Sequence, residues 1–108
     1  MAFAMFYTTH PDEATAKRVA RTLVEERLAA CYNVLPMQSC FFWENALVND
    51  DEWVAILKTR TALIEALTRR FEALHPYEVP CCMHWEVNAN AAYERWIMRE
   101  TRDGTDHE

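Results

Sequence analysis

The sequence predicts an α+β domain, and three observations carry that prediction. Short segments rich in aromatic and β-branched residues alternate along the chain with longer segments whose apolar residues recur at helical spacing. Of the 108 residues, 51% are hydrophobic and 26% are charged, which is the balance of a globular chain. A chain of this length buries only about two thirds of the surface that it exposes when unfolded, so we expect one domain with one core.

The first strand and helix are predicted near the N-terminus. Residues 3–9, FAMFYTT, have the composition of a strand, and Pro11 suits the first turn of a helix. His10, next to Pro11, is expected to be a solvated turn residue. The following segment, DEATAKRVARTLVEERLAA, is expected to form one amphipathic helix, because small and apolar residues recur three or four positions apart: Ala16, Val19, Ala20, Leu23, Val24 and Leu28.

Two further strands are predicted to form an antiparallel hairpin. The segment CYNVLPMQSCFFWE, Cys31 to Glu44, favours a strand, in which Pro36 implies a bend, a bulge or an edge position. The polar stretch NALVNDDE is expected to break the strand pattern. The segment WVAILKT, Trp53 to Thr59, is then expected to be a strand buried on both faces, since its apolar run hardly alternates.

The C-terminal part predicts helix, strand and helix. The segment RTALIEALTRRFEALH has a helical stripe and ends before Pro76, which disfavours helix in the residue ahead of it. The segment VPCCMHWEV reads as a strand, and NANAAYERWIMRETR reads as a helix with an Asn cap. Residues 1–102 are expected to be a single domain and residues 103–108 a flexible tail.

The predicted order is βαββαβ with an added C-terminal helix, the pattern of the ferredoxin-like split βαβ sandwich. Two helices then cover one face of a four-stranded antiparallel sheet. The other face stays apolar and needs a cover, which in so small a domain is expected to be another copy of the same chain.

Composition excludes several function classes. The net charge is −6 and the sequence pI is about 5.2, which disfavours a nucleic-acid partner. The single glycine, Gly104, cannot build a phosphate loop, so we expect no nucleotide cofactor. No apolar run suits a membrane span and no signal peptide is visible, so a cytoplasmic protein is expected. No nucleophile has a spaced base and orienting group, which argues against an enzyme.

Soft side chains crowd into the segment VPCCMHWEV. Strand alternation puts Cys82 and His84 on one face and Cys81, Met83 and Trp85 on the other. One interpretation is structural: the second group packs under the helices, and Cys82 and His84 face an intersubunit contact. The alternative is a metal site for copper or another divalent cation, with ligands drawn from Cys81, Cys82 and His84 and completed by another subunit.

Several stretches together resemble one family. The segments THPDEATAKRVARTLVEERLAACYNVLP, FWE, WVAILKT, HPYEVP and NAAYERWI are similar, in order and spacing, to the CutA family of divalent-cation tolerance proteins. The resemblance implies a ferredoxin-like fold, a homotrimer and tolerance to copper and other divalent cations, with copper binding and no catalysis. It also implies an architecture like that of the PII signalling proteins, and hence an alternative role as a signalling or scaffold module that binds a small molecule or a partner protein.

The chain departs from the family pattern in two places. The family usually has W-E-G-K at the hairpin tip, where this chain has Trp43, Glu44, Asn45 and Ala46. Asn tolerates positive φ better than most residues, so the turn is expected to survive. The family residue after HPYEVP is generally glutamate, and some members have a metal-binding cysteine at the end of the first strand; here these positions hold Cys81 and Thr8.

The segment HPYEVP has a structural and a functional interpretation. Its two prolines fix an extended connection between helix and strand. On the functional interpretation this connection lines a cleft between subunits that takes a small anion or a hydrated metal. The residues assigned to that cleft are Trp43, Glu44, Lys58, His75, Tyr77 and Glu78.

Overall fold

The fold is a four-stranded antiparallel sheet with three helices, seen in a computed structural model that describes residues 2–102. The strand order is β2-β3-β1-β4, so the ferredoxin-like prediction is confirmed. A short 3₁₀ turn, Thr61–Leu63, precedes the second helix. The elements are β1 (Phe3–His10), α1 (Glu13–Glu25), β2 (Cys31–Trp43), β3 (Ala46–Arg60), α2 (Ile64–Leu74), β4 (Cys82–Val87) and α3 (Ala91–Glu100). The predicted tail at 103–108 lies outside the described residues.

The main core lies between the sheet and the helices α1 and α2. Phe6 of β1 and Leu57 of β3 are register partners, and both side chains are fully buried. Leu23 of α1 and Phe71 of α2 pack against them from the helix layer. Burying side chains of this size contributes roughly 1.5–3 kcal/mol each, so this cluster holds the helices on the sheet.

Helix α1 ends earlier than the sequence pattern predicts. The Arg27 amide donates to the Val24 carbonyl at 3.0 Å, and the Leu28 amide donates to the Leu23 carbonyl at 3.0 Å. Arg27 itself has φ 64, in the left-handed region. These are the bonds of a Schellman motif, in which Leu28 folds back against the core instead of continuing the helix. The prediction of one helix through the whole segment was wrong for its last residues, because the usual glycine signal is absent.

The β2–β3 hairpin is longer than predicted. Trp43 pairs with Ala46, so Glu44 and Asn45 form a two-residue turn, and their φ values of 49 and 67 fit a type I′ turn. The expected survival of this turn with asparagine is confirmed. The expected break at NALVNDDE was wrong: β3 begins at Ala46 and pairs with β2 throughout. Because β1 ends at His10, opposite Trp53, the outer part of the hairpin extends beyond the rest of the sheet.

Pro36 lies on an edge strand, since β2 pairs only with β3 in the described sheet. Its missing amide donor therefore faces away from the ladder, as edge positions allow. The prediction of an edge position is confirmed.

The sheet face opposite α1 and α2 is only partly bare. Helix α3 covers one end of it, where Phe3 and Ile97 are buried and Tyr93 and Trp96 pack beside them. The remaining open face still exposes apolar side chains: Leu35 at 42%, Met83 at 51% and Trp85 at 42%. The expectation of an apolar face that needs a cover therefore applies to the part beyond α3.

In strand β4, the side chains that the structural interpretation placed under the helices face the open side of the sheet, and the other group faces the helices. Cys82 pairs with Thr8 and His84 pairs with Phe6, whose side chains face the helices. Cys82 and His84 are thus on the helix side, and Met83 and Trp85 are on the open side. Placing Met83 and Trp85 under the helices was wrong. Alternation predicted the two groups, but only the register with β1 decides which group faces which layer.

Candidate functional site

A cavity of about 420 Å³ lies between the outer hairpin and the connection that follows α2. The hairpin side presents alternate residues of β2 and β3, which share one face because strand side chains alternate. The connection supplies the opposite wall. The lining residues are Thr9, Phe41, Trp43, Val48, Asp50, Glu52, Tyr77, Glu78 and Val79.

His75 fixes the connection to the sheet. Its Nε2 lies 2.7 Å from the Thr9 carbonyl, and its Nδ1 lies 3.1 Å from the Tyr77 amide. A carbonyl can only accept and an amide can only donate, so His75 is the neutral tautomer with the proton on Nε2. Burial lowers the pKa of His75 and favours this neutral form. Both ring nitrogens are therefore used to position the start of the HPYEVP connection.

Tyr77 closes the cavity wall over Glu52. Its hydroxyl donates a hydrogen bond to Glu52 Oε2 at 2.9 Å, and Glu52 is only 8% exposed. Burial and the hydrogen bond to Glu52 raise the pKa of Tyr77. Tyr77 thus remains a protonated donor at neutral pH, and its bond joins the connection to β3.

His10 lies behind this wall and is fully buried. Thr8 Oγ1 donates to the Ala55 carbonyl at 2.8 Å, so the His10 Nε2 proton, 2.9 Å away, is donated to Thr8 Oγ1. Burial, together with the repulsion that would arise if His10 and His75 were both protonated, lowers the pKa of His10 to about 4. The expectation of a solvated turn residue was wrong, because β1 continues through His10 and directs it into the core beside Phe71.

The residues assigned to the cleft are mostly together in one protomer. Trp43, Tyr77 and Glu78 line the cavity, His75 supports it, and Glu44 lies in the turn next to Trp43.

Lys58 lies apart from that group, farther along β3. Its ammonium donates to Asn33 Oδ1 at 3.0 Å and is 5.8 Å from the ring centroid of Tyr93. In the described part of the chain, no lysine, arginine or histidine lines the cavity.

The three predicted metal ligands do not converge within one protomer. Cys82 is packed against the core, and burial raises its pKa to about 11. His84 is exposed, and its ring lies tilted against that of Phe6, with 5.2 Å between the ring centroids. Cys81, the adjacent residue, precedes the strand, and burial raises its pKa too. No group of three or more His, Cys, Asp or Glu residues within 2–102 is placed to hold a metal ion. One protomer supplies at most two donors on one side, Cys82 and His84.

The sequence did not predict several residues that line the cavity, chiefly Glu52, Asp50 and Val48. They were read as part of a break in the strand pattern. Their period-two spacing in LVNDDE was the available signal, since it is the spacing of side chains on one face of a strand.

Fold and cavity together define a small ferredoxin-like α+β domain with an acidic, aromatic cavity beside a partly open sheet face. The family model of the CutA1 divalent ion tolerance protein matches residues 4–100, and the chain belongs to that family.

Relatives with the same family name agree over nearly the whole chain. The divalent-cation tolerance protein CutA of Pyrococcus horikoshii is 42% identical over 97 residues, covering 89% of this chain and 95% of that protein. Human protein CutA is 36% identical over 93% of this chain, which spans 57% of the human protein's length. The chain likewise spans 56% of the chloroplastic protein CutA 1 of Oryza sativa, at 36% identity over 90% of this chain.

Solved structures give the same result for the fold. Crystal structures of CutA1 superpose with a TM-score of 0.90 for Pyrococcus horikoshii, at 40% identity, and 0.91 for Oryza sativa, at 34% identity. The first match covers 93% of this chain and 99% of the other, and the second covers 96% and 97%. Among residues 2–102, none of the helices is long and apolar enough to cross a membrane.

Proposed function

We propose that this chain is a homotrimeric divalent-cation tolerance protein that binds copper or a similar divalent cation without turnover. The observation that carries the proposal is the match to the CutA1 family over residues 4–100. The apolar side chains of Leu35, Met83 and Trp85 on the open sheet face support self-association, because exposed patches of this kind mark interfaces.

Cys82 and His84 are the proposed metal ligands from each protomer, and Cys81, which directly precedes β4, is a further donor. Thiolate and imidazole are the ligands that copper prefers. Cys82 and His84 alternate on one side of β4, about 7 Å apart, which allows both to reach one ion. A metal ion must displace the proton of the Cys82 thiol. Because burial raises the pKa of that thiol to about 11, metal affinity is expected to increase with pH.

We assign this protein to the cytoplasm and give it no catalytic role. The described residues lack a helix that could cross a membrane, and the matching family is named for ion tolerance and not for a reaction. Relatives carry other location words in their names: chloroplastic for rice CutA 1 and periplasmic for the Archaeoglobus fulgidus protein.

Calorimetric titration of the reduced protein tests the metal proposal. Cu(I), Cu(II), Zn(II) and Co(II) are added to wild type, C82A, H84A and C81A, with C40A as the matched control at an exposed cysteine on the hairpin. We expect stoichiometric copper binding that weakens at least tenfold in C82A and H84A and is unchanged in C40A. Absence of binding, or equal binding in C82A, H84A and C40A, contradicts the ligand assignment.

A second candidate function is a PII-like module that binds a small molecule at an intersubunit cleft. The cavity of about 420 Å³ favours it, because Trp43, Tyr77 and Glu78 of the proposed cleft line that cavity. Lys58 lies apart from this cavity along β3 and is not part of the cleft on this proposal. Ligand binding is expected to slow amide exchange in the outer hairpin, around Phe41 to Val48, while exchange in α1 stays unchanged.

A further inference from the structure

We propose that the cavity beside Tyr77 takes a small organic cation, an alkylammonium or alkylguanidinium. Its charged head binds at Glu52, and its apolar part lies against Phe41 and Trp43. The inference rests on the second candidate function, for which it names the ligand class. It does not depend on metal binding at Cys82 and His84.

The charge of the cavity selects for cations. Among residues 2–102, three carboxylates line it, those of Asp50, Glu52 and Glu78, and no basic side chain does. None of the three forms an ion pair with another residue of the described chain. Three unpaired negative charges around one cavity repel phosphates and carboxylates and attract cations. The small anion expected from the sequence required Lys58 in the cavity, and Lys58 lies elsewhere in the protomer.

Glu52 gives the cation a specific place. The residue is more than nine-tenths buried, and Tyr77 occupies only its Oε2. Within residues 2–102, Oε1 has no hydrogen-bond partner. A largely buried carboxylate that has one neutral donor and no positive charge beside it is costly. An ammonium or guanidinium group that donates to Oε1 supplies both the charge and the missing donor.

The remaining walls suit the apolar part of such a ligand. The rings of Phe41, Trp43 and Tyr77 and the side chains of Val48 and Val79 face the cavity. Aromatic faces attract cations as well as alkyl groups, and cages of this composition are used for quaternary ammonium ligands. The cavity volume of about 420 Å³ lies in the range of roughly 300–1,000 Å³ that is typical of small-molecule pockets.

A bare divalent metal ion fits this cavity less well. Among the described residues no three His, Cys, Asp or Glu side chains converge closely enough to hold one. The cavity therefore suits an organic cation, whose N–H or C–H groups contact Glu52, better than a bare ion that needs several converging ligands.

Calorimetric titration of the full chain in its native assembly tests the proposal. The cations are choline, butylammonium and butylguanidinium. The controls are butyrate, magnesium chloride and 3,3-dimethylbutan-1-ol, the last of which is the neutral isostere of choline. We expect at least one of the cations to bind once per protomer. The neutral isostere and butyrate are expected to bind at least tenfold more weakly, and magnesium is expected not to compete.

Two matched variants locate the binding. E52Q removes the charge but keeps an oxygen that accepts from Tyr77, and E65Q removes an exposed charge on α2 outside the cavity. Binding is expected to weaken at least tenfold in E52Q and to stay unchanged in E65Q and in C82A. The C82A result separates this proposal from the metal site.

The proposal is overturned by no binding of any cation to the folded protein, by equal binding of the neutral isostere, or by equal affinity in E52Q and E65Q. If a side chain of a second copy fills the cavity in the assembly, no cation binds, and the proposal is wrong. Magnesium binding that replaces the organic cations also contradicts the proposal.

Discussion

The hydroxyl of Tyr77 donates a hydrogen bond to the buried carboxylate of Glu52 across 2.9 Å. This bond connects the segment after α2 to the middle of the long β2–β3 hairpin. It also leaves one oxygen of Glu52 available to the cavity. The shape of the cavity and the position of its most buried charge therefore depend on the same contact.

The substitution Tyr77→Phe is expected to destabilise the fold by about 1–3 kcal/mol, because it leaves a buried carboxylate without its hydrogen-bond donor. Urea unfolding measures the change. Tyr7→Phe is the control, since the Tyr7 hydroxyl contacts only the weak acceptor Met37 Sδ, at 3.0 Å. A loss in Y77F no larger than that in Y7F contradicts the role assigned to the Tyr77–Glu52 bond.

Stability is expected to fall as the pH is lowered from 6.5 towards 4. The folded-state pKa of His10 is about 4, against 6.5 when unfolded, and that of His75 is also lowered. Within this window the unfolded chain binds protons that the folded chain does not, so acid favours unfolding. At pH 5 the His10 contribution alone is about 2 kcal/mol. The groups that act on His10 are His75 and Arg18, which lower its pKa, and Asp12, which raises it.

Urea midpoints at pH 7 and pH 5 measure this dependence. His10→Gln is expected to reduce the difference between the two pH values, whereas His84→Gln, at an exposed position, is expected to leave it unchanged. An equal pH dependence in wild type and H10Q contradicts the buried neutral state of His10.

The left-handed residue at the end of α1 gives a third prediction. Arg27→Gly is expected to be about 1 kcal/mol more stable than Arg27→Ala, since glycine adopts φ 64 without the Cβ penalty. Both variants lose the exposed ion pair with Glu100, which cancels in the comparison. Thermal unfolding of the two proteins measures the difference, and equal stability contradicts the strain at Arg27.

The hairpin turn gives a fourth prediction. Asn45→Gly is expected to protect the amides of the outer hairpin from exchange, and Asn45→Val to expose them, because a β-branched residue disfavours φ 67. Amide exchange is the suitable measurement, since this part of the hairpin extends beyond the sheet and opens locally. Equal exchange in N45G and N45V contradicts the type I′ turn.

Local patterns predicted the order of elements, because the spacing of apolar residues that distinguishes a strand from a helix involves only a few neighbouring residues. They failed where a distant contact decides the outcome. The register of β4 against β1 put Cys82 on the helix side, and the length of β1 buried His10. The Schellman end of α1 uses Arg27 where glycine is the usual signal. Of the cavity, Trp43, Tyr77 and Glu78 were predicted, whereas Glu52 was missed because the polar stretch NALVNDDE was interpreted as a break between two strands.

Self-association is the central claim, because the exposed Leu35, Met83 and Trp85 need a cover and the proposed cleft lies between subunits. Multi-angle light scattering of the folded protein at low micromolar concentration tests it most directly. We expect a mass of about 38 kDa, three times the 12.7 kDa of one chain. A mass near 12.7 kDa, with circular dichroism showing a folded chain, would contradict the account.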